Sequence, residues 1–314
     1  MKKGGDAEGY LLLHKRPGLT SFSTLGQIKR ALGTTRVGHT GTLDSFAEGL
    51  LIILVGYSTR LVPWFTGCDK TYEGTIHFGT QTDTLDPFGT VVFEAPAPKL
   101  EQLEAALVAF RGDILQTPPL YSAVHIDGHR AYELARSGLE PEMKARSIRI
   151  HSLELKSFDG IDAQIRVVCS KGTYIRSLAR DIALSCDSRA SLSALKRTAV
   201  AGFSLDDAVD PETIIQSDDE MDLQGKKQRL ITQHLLPVDE LAFEALKLPS
   251  IRVPDDVARF ITSGRPIDPR WIESFQEVSS LGIFSRKGVL LAIISATCGR
   301  LSYKFVNPIP DRAC

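Results

Sequence analysis

The densest concentration of chemically competent residues is Gly38-His39-Thr40-Gly41-Thr42-Leu43-Asp44, which carries one carboxylate, a histidine five residues before it and an apolar run after it. Glycines at this spacing let backbone approach a ligand closely. An ionised carboxylate there can act as a nucleophile or accept a proton. An aspartate that merely caps the next helix explains the segment about as well. A phosphate cradle does not, because the Gly-x-x-x-x-Gly-Lys-Ser/Thr pattern is absent. A second segment, Cys169-Ser170-Lys171-Gly172-Thr173-Tyr174-Ile175-Arg176, sets an arginine in the first turn of a predicted helix directly after a strand. A cation there opposes the helix dipole, so Arg176 calls for an acidic partner unless it is simply solvated. Tyr72 follows Lys70-Thr71 in a predicted strand, a position where tyrosines more often serve the core than chemistry.

These groups need elements to hold them. Leu11 to Leu13 reads as a strand, and Phe22, Leu25, Ile28 and Leu32 fall near helical spacing between Ser21 and Gly33. From Lys70 the period becomes two, with Tyr72, Gly74, Ile76 and Phe78 on one side of a half-buried strand. Leu100, Leu103, Leu107 and Phe110 predict a helix ended by Gly112. Ile165, Val167 and Cys169 alternate before a turn at Lys171-Gly172, and Ile175, Leu178, Ala179, Ile182 and Ala183 then follow a helical pattern. Strand, turn and helix thus meet at Gly172. Ser204 to Leu223 holds eight acidic side chains and no basic one, and Gly225 to Arg229 turns basic, which reads as an exposed lead-in to a linker. Beyond it, Val253 to Ile267 predicts a short helix closed by Gly264 and Pro266. Val289 to Ser295 predicts a strand, so a small β-rich C-terminal domain is expected from about Leu248.

Composition removes several classes of function. The 314 residues, 43% hydrophobic and 24% charged, suit a large core with room for a small second domain. The 37 basic and 38 acidic residues leave a net charge of -1, so a nucleic-acid partner must be held by a local basic surface. Ile165 to Val200 offers one, with seven basic residues against Asp181 and Asp187. Five scattered cysteines without a Cys-x-x-Cys pair argue against a disulfide framework or a structural zinc site, and a reducing cytoplasm is expected. The longest apolar run, around Leu50 to Val55, is too short to span a bilayer.

The Asp44 loop, the Lys70-Thr71-Tyr72 strand and the Lys171 to Arg176 segment occur in an order that resembles the bacterial tRNA pseudouridine synthases of the TruB type. Leu195-Lys196-Arg197 is similar to that family's third motif. Pro119-Leu120-Tyr121-Ser122-Ala123, with Gly128 and Tyr132, is similar to its RNA-gripping insertion. The likeness runs from about Leu11 to Val200 and more loosely through the tail. Three positions depart from the family pattern: Asp44-Ser45 stands for Asp-Pro, Arg16 intervenes in Lys15-Arg16-Pro17-Gly18, and Val124-His125 stands where the family has lysine.

The resemblance implies an α+β pseudouridine-synthase fold, with a central mixed, largely antiparallel sheet flanked by helices and loops. A catalytic domain is expected over 1–245, with the insertion at about 118–150, and a small β-rich PUA-like domain over 246–314. The implied activity is isomerisation of the T-loop uridine at tRNA position 55, a redox-neutral rearrangement expected to need no cofactor or metal. In that reading Asp44 is the catalytic carboxylate, Arg176 pairs with it, and Tyr72 stacks on a base flipped into the pocket. His39, Tyr174, Leu195, Lys171 and Lys15 are the implied substrate contacts. The partner is the tRNA T-arm at the elbow, met by a monomer with no protein partner and no membrane. A guide-RNA-dependent pseudouridine synthase and a non-catalytic RNA-binding or tRNA-folding protein are the alternatives. A carboxylate-dependent hydrolase lacks a well-placed second acid.

Overall fold

The computed structural model describes residues 7–122, 124–126, 128–137, 139, 141–212, 225, 230–272, 277–297 and 300–308. The expected linker lead-in lies mostly outside the described residues, as do Ala123 and Gly138 of the expected insertion.

Strand β1 (Gly9–Lys15) leads into helix α1 (Ser21–Leu32). The Thr20 hydroxyl caps that helix by accepting from the Ser23 N–H, and Gly33 closes it in the left-handed conformation at φ 62°. Strands β2 (Val37–His39) and β3 (Glu48–Val55) bracket the Asp44 loop, and α2 (Val62–Thr66) precedes β4 (Lys70–Phe78). A ribbon of β5 (Thr80–Thr82) and β6 (Val91–Glu94) connects to α3 (Leu100–Ala109) and β7 (Gly112–Gln116). Gly112, expected to end α3, opens β7 instead, at φ 88°. The insertion holds a small hairpin, β8 (His125–Ile126) and β9 (His129–Arg130), and α4 (Ala131–Arg136). Then come β10 (Arg146–Phe158), β11 (Asp162–Cys169), α5 (Ile175–Ser185), β12 (Ala190–Val200) and β13 (Phe203–Ser204).

Nine strands join in one sheet, ordered β1-β3-β12-β4-β11-β10-β7, with β2 paired to β3 and β13 to β12. Its pairings are antiparallel except that of β12 with β3, the mixed, largely antiparallel arrangement expected. The half-buried period of β4 puts Tyr72, Ile76 and Phe78 on the side packed by α3 and α5. Strand β3 is buried on both faces: Leu50, Ile52 and Leu54 join one apolar cluster, and Leu51, Ile53 and Val55 join another with Leu25, Ile28 and Leu32 of α1. This double burial explains a run that is apolar throughout rather than alternating.

After α6 (Glu240–Ala245) the chain forms β14 (Ser250–Val253), α7 (Asp255–Thr262), β15 (Val278–Ser285), β16 (Leu290–Thr297) and β17 (Arg300–Val306). The four strands make a second sheet in sequence order. One side, with Val257, Ile261, Ile283 and Ile294, has its own core. Phe284, Leu290, Ile293 and Phe305 instead join Leu50, Phe203 and Phe243 from earlier in the chain, with the Phe243 and Phe284 rings edge-on at 5.0 Å.

Candidate active site

The Asp44 loop leaves the sheet at Thr40, whose N–H donates to the Ile52 carbonyl at 3.1 Å, and rejoins it at Glu48. Side chains and backbone clamp it from several directions. The Ser21 hydroxyl accepts from the Leu43 N–H at 2.9 Å and faces the Leu43 carbonyl at 3.2 Å, while Leu43 itself is buried. The Gly18 N–H donates to Ser45 O at 2.7 Å. On the other flank, Arg197 donates to Gly41 O and Leu50 O at 3.2 and 2.8 Å. Gly49 is required where it stands: at φ 120°, a Cβ there would fall 2.3 Å from the Arg197 carbonyl oxygen. Packed this way, the loop presents the Asp44 side chain, 35% exposed, to a cleft.

The acidic partner that Arg176 calls for is Asp44. Arg176 enters from the first turn of α5, after the Gly172 turn at φ 80°, and is 4% exposed. Its Nε donates to Asp44 Oδ2 at 2.8 Å and its Nη2 to Asp44 Oδ1 at 3.0 Å, a bidentate fork. Nη2 also reaches Tyr121 O at 3.0 Å, and Nη1 reaches Thr84 O at 2.8 Å and Asp86 Oδ2 at 3.4 Å. All five guanidinium N–H groups are therefore engaged. Asp86 is held in turn by the Thr84 hydroxyl at 2.7 Å and the Phe88 N–H at 3.0 Å, both on Oδ1. A buried guanidinium shared by two carboxylates and two carbonyls has the satisfied geometry that a charge out of water requires.

The cleft has a volume of about 300 Å³, and Asp44, Tyr72, Lys171, Tyr174, Arg176 and Leu195 all line it. Register places Tyr72 on β4 opposite Arg197 on β12. Burial raises the Tyr72 phenol above its ordinary pKa, and the hydrogen-bonded Arg197 guanidinium partly offsets this. Tyr174 is fixed through its backbone: its N–H donates to Gln116 Oε1 at 2.8 Å and its carbonyl accepts from Gln116 Nε2 at 3.1 Å. Among the described residues no group of three or more His, Cys, Asp or Glu side chains is placed to hold a metal ion.

Two expected contacts stand apart from that wall. His39 is half-buried, its Nδ1 accepting from the Gly41 N–H at 3.4 Å, and burial followed by the nearby Arg197 charge depresses its pKa. Lys15 is fully buried, its Nζ donating to Leu19 O at 2.7 Å, Ala47 O at 2.6 Å and, more weakly, Arg16 O at 3.1 Å and Ser45 O at 3.5 Å. The lysine braces the Asp44 loop from below and presents no charge to the cleft. Burial lowers its pKa to about 8, with the Asp44 charge opposing the shift.

Asp86, Gln116 and the positioning role of Arg197 escape sequence reasoning. Only Arg197 left a signal, as a charge two residues after Leu195 in an alternating strand.

The signature of the TruB family pseudouridylate synthase (N terminal domain) matches residues 29–175. A tRNA pseudouridine synthase B of Borreliella burgdorferi is 47% identical over 203 residues, 64% of this chain and 72% of that protein. Its counterpart in Tolumonas auensis is 40% identical over 267 residues, 84% of this chain and 82% of that one. Among solved structures, a chain of a Cbf5-Nop10-Gar1 complex superposes with a TM-score of 0.69 at 23% identity, covering 95% of this chain and 82% of that one, a likeness of fold. With its three motifs gathered at one cleft and identity of this extent, the chain belongs to the TruB family of pseudouridylate synthases.

Proposed function

We propose that the chain is a tRNA pseudouridine synthase that isomerises the T-loop uridine at position 55, with Asp44 as its catalytic carboxylate. The observation that carries this reading is the Asp44–Arg176 fork, which aims one carboxylate into a cleft of nucleotide size. The reaction breaks the N1–C1′ bond, turns the base and forms the C5–C1′ bond. The C5 proton leaves and N1 takes one up, so the balance closes without an external reductant.

Asp44 acts at the flipped nucleotide as nucleophile or proton acceptor while Arg176 keeps its two oxygens oriented. Tyr72 stacks on the base. Its buried phenol, kept protonated by desolvation, is suited to a hydrogen bond or a transient proton at the base edge. Leu195 closes the apolar side, and Lys171 and Tyr174 contact the nucleotide from the α5 side. His39 is assigned to the RNA around the flipped nucleotide, and Lys15 acts through the loop it braces.

Residues 246–314 form a PUA-like domain in this reading and hold the tRNA away from the reacting uridine. The partner is the T-arm at the elbow, bound by a single chain in the cytoplasm without a guide RNA. Identity favours this over guide-dependent action: 40–47% to proteins named tRNA pseudouridine synthase B, against 20–23% to the Cbf5-type structures. Incubation of the purified chain with unmodified tRNA transcript, followed by position-specific mapping, should show pseudouridine in the T-loop. An unmodified T-loop discards the proposal.

A further inference from the structure

Lys70 stands two residues before Tyr72, yet the proposed reaction leaves it without a task. It is 7% exposed and lines the cleft beside Thr66. Its Nζ donates to Thr66 O at 2.7 Å and Cys68 O at 2.5 Å, carbonyls at and just beyond the C-terminal end of α2. That end is anchored, because Phe65 is fully buried and Trp64 Nε1 donates to Ser280 Oγ at 2.9 Å. An ammonium carries three N–H groups, so one has no acceptor among the described residues. Lys15, also buried, differs: four carbonyls surround its Nζ, and it is not part of the cleft wall.

The charge balance of the cleft indicates what the spare donor meets. Among the described residues, Lys70, Lys171, Arg176 and Arg197 line it against one carboxylate, Asp44. Arg176 is spent on Asp44, Asp86 and two carbonyls, and Arg197 donates to Gly41 O and Leu50 O. Lys70 and Lys171 remain, and they share one end of the cleft, since Lys70 pairs across the sheet with Cys169, two residues before Lys171. A buried cation with a donor unspent is unfavourable until an anion completes it.

Burial, with the Arg197 charge adding to it, lowers the Lys70 pKa to about 8, and an opposite charge at contact would favour the ammonium again. Lys70 and Tyr72 share one face of β4, about 7 Å apart along the strand. A base stacked on Tyr72 thus brings the backbone of its own nucleotide within reach of Lys70.

We propose that Lys70 is a phosphate-binding residue: its unspent N–H takes a phosphodiester oxygen flanking the flipped nucleotide and fixes the RNA backbone while Tyr72 holds the base. That the nucleotide is a T-loop uridine rests on the function proposed above.

The test uses the full-length chain and T-arm hairpins in which one of the two phosphodiesters flanking the reacting uridine is replaced by a neutral methylphosphonate. A 2′-deoxyribose precedes that linkage in both the altered hairpin and its phosphodiester control, which keeps the linkage stable. Wild type should bind one of the two altered hairpins roughly tenfold more weakly than its control, the loss of one charge-assisted contact. Lys70→Gln, whose amide still offers two N–H groups to Thr66 O and Cys68 O, should bind that hairpin and its control alike. Its log affinity for unaltered hairpin should also fall less steeply with log salt, by about one. Lys70→Met gives the same comparison if the amide variant does not fold. A wild type indifferent to both methylphosphonates, a variant that keeps the tenfold difference, or an unchanged salt slope overturns the inference. Pseudouridine formed by wild type on the unaltered hairpin upholds the reaction whichever way binding falls, and its absence sinks both.

Discussion

Replacing Arg176 by lysine keeps the charge and removes the fork, so it separates electrostatics from geometry. The guanidinium makes five N–H bonds, to Asp44 twice, Asp86, Thr84 O and Tyr121 O. An ammonium has three N–H groups radiating from one point, which leaves at least two of those acceptors unpaired in a site where the side chain is 4% exposed. At about 1–3 kcal/mol for each buried acceptor left alone, and with some recovery by relaxation, we expect a loss of about 3 kcal/mol. For a chain of this size that lowers the melting temperature by roughly 5 °C or more. Freed from its bidentate hold, Asp44 should drift by a fraction of an ångström, enough to slow the reaction about a hundredfold. Single-turnover release of tritium from C5-labelled uridine follows product formation, because C5 gives up its hydrogen once it has bonded to C1′. A variant that turns over within threefold of wild type and melts within a degree of it would show that the five bonds are not what positions Asp44.

Asp44→Asn should still bind tRNA but form no pseudouridine, since the amide is neither a comparable nucleophile nor a base; activity within tenfold of wild type would reject Asp44. Tyr72→Phe keeps the aromatic face and Tyr72→Leu removes it, so a Phe variant that binds well but loses as much product as Leu assigns chemistry to the hydroxyl, and two fully active variants make Tyr72 core. Lys15, with its pKa lowered to about 8 by burial, gives a signed pH effect. Between about pH 8 and 10.5 the unfolded chain binds more protons there than the folded one, so this group's contribution to stability rises with pH. Urea unfolding at pH 7.5 and 9.5 should therefore show the gap between wild type and Lys15→Met widening at the higher pH, and a constant gap would place Lys15 in water.

The parts of this fold that were legible in the sequence are those whose cause is local. Tyr72, Ile76 and Phe78 alternate because β4 has one buried face, and Ile175 to Ala183 repeat as a helix because α5 covers that face. Arg176 asked for an acid because a cation at a helix N-terminus needs one. What was not legible depends on groups distant in the chain. Lys15 was expected to contact the substrate, since nothing near it in sequence foretells that Ser45 O and Ala47 O, some thirty residues on, would surround its ammonium. Asp86 shares a guanidinium with Asp44 only because the β5–β6 ribbon is anchored on β12, where Leu85 O accepts from the Leu192 N–H and the Thr82 N–H donates to Ser191 Oγ, and no periodicity records that.

The mixed core between the two sheets has a bearing on how the chain is made. Leu50, Ile52 and Leu54 belong to the same continuous cluster as Phe284, Leu290, Ile293 and Phe305, and Gly282 lies so close to Phe243 that a Cβ would fall 2.4 Å from its ring. During synthesis, one face of an early strand of the catalytic sheet must wait for side chains translated more than two hundred residues later. A nascent chain that has extruded everything through α6 still shows an uncovered apolar face, and is open to chaperone capture or aggregation until β17 arrives. Folding of the sheet that carries the Asp44 loop is thereby tied to synthesis of the second sheet.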